Sequence, residues 1–141
     1  MSVEDATASS NFLVEIDGID AGGGFFAVSV PKSRVEVIAY REGTSRRTRY
    51  LPGQLVHDRL VLRRAAAPNS VLHAWWQETV AGAVQRRSMS VVLLDATLQE
   101  VQRWNVFEAW PVSYDVTDLS ALGDDVALET IEIVHEGIEL A

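Results

Sequence analysis

Short runs of alternating apolar and polar residues recur along almost the whole chain, and only one stretch departs from that rhythm. Strands place successive side chains on opposite faces, so a period of two marks a strand with one buried face. Phe12, Val14 and Ile16 alternate with Leu13, Glu15 and Asp17. Asp17-Gly18 opens a turn, and Ala21-Gly22-Gly23-Gly24 extends the break. Phe25 to Val30 reads as a strand, Pro31 interrupts it, and Arg34 to Tyr40 resumes. There Val35, Val37 and Ala39 face one way, and Glu36, Ile38 and Tyr40 the other. Leu51-Pro52-Gly53 reads as a turn, and Leu60 to Arg64 as a strand that ends in charge.

Further strands follow the exception. Met89 to Asp95 turns at Ala96 to Gln99 and returns as Val101 to Trp110, a hairpin. Pro111 marks an edge or bend, with Val112, Tyr114 and Val116 alternating beyond it. Val126 to Glu136 reads as one long final strand, with Ile131, Ile133 and His135 on one face and Thr130 and Glu132 on the other. The exception is a helix. Pro68-Asn69-Ser70 supplies its start, with Asn69 or Ser70 as N-cap. Leu72, Trp75, Trp76, Thr79, Val80 and Ala83 recur at helical spacing, and Gly82 stands near the end. Leu72, Trp75, Trp76 and Val80 are therefore expected to pack the helix onto a sheet. Many strands and one helix predict a mostly β fold: a small antiparallel β-barrel or two packed sheets with one flanking α-helix. Residues 1–10 read as a flexible N-terminal arm and residues 11–141 as a single domain.

Composition narrows the classes. The chain has 141 residues, enough for one core. Its 48% hydrophobic content excludes a disordered chain, and its apolar runs reach only four residues, too short for a transmembrane helix. The polar, acidic start has no signal-peptide pattern. With no cysteine there is no disulfide framework. The net charge is −8, and it is segregated. Residues 1–30 hold five acids and no base, residues 31–64 nine bases and three acids, and residues 105–141 nine acids and no base. Eleven of the twelve bases are arginine, the residue suited to planar, multi-donor pairing. Overall acidity argues against nucleic-acid binding.

Residues that carry chemistry are sparse. His57, His73 and His135 lie far apart in sequence. His135-Glu136-Gly137-Ile138-Glu139 imitates half of a zinc-protease motif, but it lies at a strand end and lacks the second histidine. Gly22-Gly23-Gly24 lacks the lysine and helix of a phosphate loop. Asp124-Asp125 reads as solvated acids rather than a cation site. Glu129 and Glu132 fall on opposite strand faces, so they are poor acid–base partners. No catalytic, cofactor or metal site is expected.

The residues do form a recognisable series. NFLVEIDG (Asn11 to Gly18), YREG (Tyr40 to Gly43), LPG (Leu51 to Gly53), LVLRR (Leu60 to Arg64), the Trp75-Trp76 helix, VVLLD (Val91 to Asp95), WNVFEAWPV (Trp104 to Val112) and ETIEIVHEG (Glu129 to Gly137) occur in order. In this the chain resembles the tail-tube proteins of contractile phage tails, tailocins and extracellular contractile injection systems. It departs from the family where Val30-Pro31 replaces an expected Gly after Val28-Ser29, and where Arg63-Arg64-Ala65 replaces Lys-Arg-Gly.

The resemblance implies a non-enzymatic subunit that forms hexameric rings stacked into a hollow inner tube. Its implied partners are further copies, a sheath protein, baseplate and tube-initiator proteins, and a cargo or tape-measure protein in the lumen. It implies no membrane, no cofactor, and assembly in the bacterial cytoplasm. The role stays open between main tube subunit and tube-initiating baseplate paralogue. A secreted tube-like protein of type VI secretion, a monomeric ligand-binding β-barrel and a histidine-dependent enzyme are the rivals.

For stacking, the polar segment with Arg41, Arg46, Arg47 and Arg49 is expected to dock on a neighbour's Asp115, Asp118, Asp124 or Asp125. Thr130 and Glu132 are the lumen candidates, and an acidic lumen would repel nucleic acid.

Overall fold

The computed structural model describes residues 12–21, 25–29, 32–66, 70–118 and 127–141. In chain order these form β1 (Phe12–Ile16), β2 (Phe25–Val28), β3 (Ser33–Tyr40), β4 (Arg49–His57), β5 (Leu60–Ala65), α1 (Val71–Val80), β6 (Arg87–Leu94), β7 (Glu100–Asp118), β8 (Ala127–Val134) and β9 (Gly137–Leu140). Seven strands make one antiparallel sheet in the order β6-β1-β2-β5-β8-β7-β9, and β6 also pairs with β7. The remaining two, β3 and β4, pair only with each other.

The sheet turns back through β7. Its first part pairs with β6, up to Arg87↔Ala109, and its second with β8, from Trp110↔Val134 to Asp118↔Ala127. Pro111 does not end the strand. A register shift between Pro111 and Ser113 and a positive φ of 55° at Glu108 bend it instead. The mostly β fold with one helix is as expected, and it consists of packed antiparallel sheet rather than a regular closed barrel.

Val14, Ile16, Leu60, Leu62, Met89, Val91, Val106, Ile131 and Ile133 form the core, which α1 caps with Leu72 and Trp75. Ser70 is the N-cap and its hydroxyl accepts from the Leu72 amide, while Gly82 ends the helix with φ of 76°. Trp76 is half-buried. Val80, expected against the sheet, is 60% exposed. It sits at the last helical position, where the helix end stands clear of the core.

Two other expectations are corrected. Leu51-Pro52-Gly53 is not a turn but lies inside β4, where Pro52 pairs with Val37. A two-stranded ribbon leaves every second amide facing outward, so proline can fit there. The register slips beside it, and a Cβ on Gly53 would meet the Glu36 carbonyl oxygen at 3.0 Å. The final strand is also interrupted. After Val134 it breaks at His135-Glu136, and β9 then continues in the same direction and register along β7, from Phe107↔Gly137 to Trp104↔Leu140.

Candidate assembly surfaces

The β3–β4 pair is an arm. Every residue of β3 is exposed. Paired residues in an antiparallel ribbon share a face, so Val35/Leu55, Val37/Pro52 and Ala39/Tyr50 make one apolar side. Val37 is 65% and Tyr50 70% exposed. Ile38/Leu51 add apolar surface to the other side. An isolated two-stranded hairpin is marginal in water. One with apolar residues on both sides is a surface built to be covered.

Arg41, Arg46 and Arg47 lie in the loop at the arm's tip, and Arg49 starts β4. All four are exposed, and none pairs with an acid among the described residues. Six other arginines do form ion pairs, including Arg103, which bonds both Glu15 at 2.7 Å and Glu100 at 3.0 Å. The tip therefore gathers four unpaired arginines among the described residues of an acidic chain.

The arm's root is tied more firmly. Arg34 meets Asp58 at 2.6 Å, Asp58 N donates to Lys32 O, and Ser33 Oγ lies 3.0 Å from His57 Nδ1. Sequence distance hid a pair here, because the His57 and His135 rings stand 5.4 Å apart. His73 is elsewhere, edge-on to Tyr114.

A polar face runs across β5, β8 and β7. Cross-strand register aligns Arg63, Thr130 and Asp115 in one row, and Val61, Glu132 and Ser113 in the next. Thr130 and Glu132 thus share a face with Asp115. Arg63 stands among them, and Arg59 reaches Glu132 at 3.4 Å. The face is mixed in charge. Asp118 ends β7; its side chain, with Asp124 and Asp125, lies outside the described residues.

The opposite face of the same strands carries the residue that sequence reasoning missed. Glu129 is fully buried. It accepts from Arg64 Nε at 2.9 Å, Ser70 Oγ at 2.7 Å and Tyr114 Oη at 2.7 Å. Burial by itself would push its carboxyl up, but the three hydrogen bonds and the Arg64 charge outweigh that and hold it low. Burial, then the bond to Glu129, pushes the Tyr114 phenol up to about 12. Arg64 also donates to Ala21 O at 2.6 Å. One carboxylate thus joins β5, β7, β8 and the helix N-cap. Its parity with Ile131 and Ile133 was the available signal, since an acid in that series needs partners.

Among the described residues no group of three or more potential ligands could hold a metal ion. No helix is long and apolar enough to cross a membrane. A groove of about 350 Å³ lined by Ile16, Met89, Asn105 and Phe107 opens to the surface.

These features define a class: a β-rich subunit with a projecting, uncovered arm, built to pack against other chains. The sequence matches the family described as T4-like virus tail tube protein gp19 over residues 8–139, and the chain belongs to that family. It is a tail tube protein. Among solved structures, a chain of the anti-feeding prophage baseplate, resolved with six-fold symmetry, is 26% identical with a TM-score of 0.79; 100% of this chain and 97% of that one are covered. A chain from the sheath–tube complex of the PVC extracellular contractile injection system, in its extended state, is 21% identical with a TM-score of 0.78, covering 99% of each. Hcp1 from Flavobacterium johnsoniae is 15% identical with a TM-score of 0.61, covering 92% and 94%. None of the curated proteins matches the sequence.

Proposed function

We propose that this tail tube protein is the subunit of a hollow inner tube of stacked hexameric rings, enclosed by a sheath in a contractile tail or injection particle, and that its arm joins the copies. The observation that carries this is the apolar side of the arm, Val35, Val37, Tyr50 and Leu55, exposed and without a covering element among the described residues. The six-fold baseplate and sheath–tube complexes that contain its structural neighbours support the ring and the sheath. The further partners are baseplate and initiator proteins and a cargo or tape-measure protein in the lumen. Assembly takes place in the bacterial cytoplasm. The protein works by assembling rather than by catalysis.

Six copies at −8 each put about −48 on a ring, so opposite patches must meet for rings to stack. The unpaired tip arginines supply the positive patch, and the acidic stretch with Asp118, Asp124 and Asp125 supplies the negative one. Asp115, sharing a row with Thr130, goes with the polar face that lines the lumen. The 26% identity to a baseplate chain favours a second reading, a tube-initiating paralogue.

Negative-stain electron microscopy with light scattering over a concentration series tests this. Six-fold rings or hollow tubes are expected. A strict monomer that also fails to join purified sheath and baseplate proteins would overturn both readings.

A further inference from the structure

The arm meets the body at a pair of histidines. His57 ends β4, and His135 sits in the short break between β8 and β9. Their rings are 5.4 Å apart and tilted by 41°. His135 Nε2 donates to Asp58 O at 3.1 Å, which leaves Nδ1 buried with no hydrogen-bond partner. A proton added to this ring enters at that orphaned nitrogen.

Beyond the Asp58 and Gly137 backbone groups, most of the charges around it are already committed. From β3 and the β4–β5 turn, Arg34 already holds Asp58 at 2.6 Å. From β8, Glu132 is taken by Arg59 at 3.4 Å, and Glu136 beside the pair faces Arg86 at 3.7 Å. These three carboxylates are matched with arginines, and Glu108, on the β7 bend opposite His135, is exposed to solvent. The Lys32 backbone, not its ammonium, contacts this root. A second imidazolium would therefore stand against the first without an anion between them.

We propose that His57 and His135 form a pH-sensitive joint: neutral, they let the arm root pack on the body, and doubly protonated, they push it away. Burial, then the neighbouring His57 charge, disfavours the protonated His135, while the Asp58 and Gly137 backbone groups work the other way; the net direction is down. A lowered base contributes stability that is full above the ordinary value of 6.5 and is lost as pH falls through the lower, folded value. The arm is thus set at neutral pH and released in mild acid. An assembly that relies on the arm would inherit that dependence.

The absence of cysteine permits a direct test on the soluble subunit, independent of tube formation. Spin labels at Ser45→Cys on the arm tip and Ser88→Cys on the body report the distance between them. At pH 7.5 one narrow distribution is expected, and at pH 5.5 a broadened or displaced one. The His57→Gln/His135→Gln double variant, folded by circular dichroism, should give the same distribution at both values. His57→Gln alone should weaken the response. An unchanged wild-type distribution overturns the proposal, and so does a full acid response in either variant.

Discussion

Arg64 Nε donates to Glu129 Oε2 across 2.9 Å with the carboxylate fully buried. Neither charge is tenable alone there, and Ser70 and Tyr114 complete the set. Glu129→Leu is expected to destabilise the fold by about 3 to 5 kcal/mol, because it removes the buried anion that Arg64, Ser70 and Tyr114 share. Combining it with Arg64→Leu should recover part of that loss. Urea denaturation of both single variants and the double variant measures the coupling.

The same network sets the pH limits of stability. Glu129, lowered in the fold, contributes stability that is present above the ordinary value of 4.5 and lost as pH falls. Tyr114, raised to about 12, contributes stability that is present below the unfolded value of 10 and lost as pH rises from 10 toward 12. Thermal melts should hold a plateau up to about pH 10, with the Tyr114 loss above it, the His135 loss entering below about 6.5 and the Glu129 loss below about 4.5. Tyr114→Phe should lower the plateau by about 1 to 3 kcal/mol and remove the alkaline fall.

The arm separates assembly from folding. Val37→Asp or Leu55→Asp places charge on its apolar side. Circular dichroism and melting temperature should stay near wild type, while tubes and rings disappear from micrographs. Loss of the monomer fold instead would mean that the arm supports the core.

The tip arginines give an electrostatic test. Changing Arg46, Arg47 and Arg49 together to serine should stop tube growth and leave the monomer folded. Raising salt should slow wild-type growth in the same direction, since exposed pairs are screened. Unimpaired tubes in the triple variant would remove the tip from stacking.

The two exposures along α1 predict unequal costs. Trp75→Ala should lose about 3 to 5 kcal/mol. Val80→Ala, at a 60% exposed position, should stay within about 0.5 kcal/mol. Paired denaturation curves decide it.

Much of this was legible in sequence. The alternation of Phe12, Val14 and Ile16 gave β1, and Ser70 marked the helix start, because local patterns carry local structure. The strand at Arg34 to Tyr40 was visible too, but not its isolation. Alternation shows that a strand has an apolar side and is silent on whether its own chain covers it. Pro52 and Gly53 read as a turn because punctuation residues serve ribbons and turns alike. The Glu129 network and the His57–His135 pair were hidden because they join positions 65 and 78 residues apart, and only topology brings them together.

The exposed arm also bears on timing. A freshly made subunit shows the same uncovered apolar ribbon that, in an ordinary sheet, seeds clumping. What keeps such copies apart is their shared negative charge, which repels at any orientation except the one that brings a basic tip to an acidic patch. Under the proposed stacking, repulsion acts as a filter on encounters: random collisions are turned away, and growth is confined to an end that already presents the right geometry.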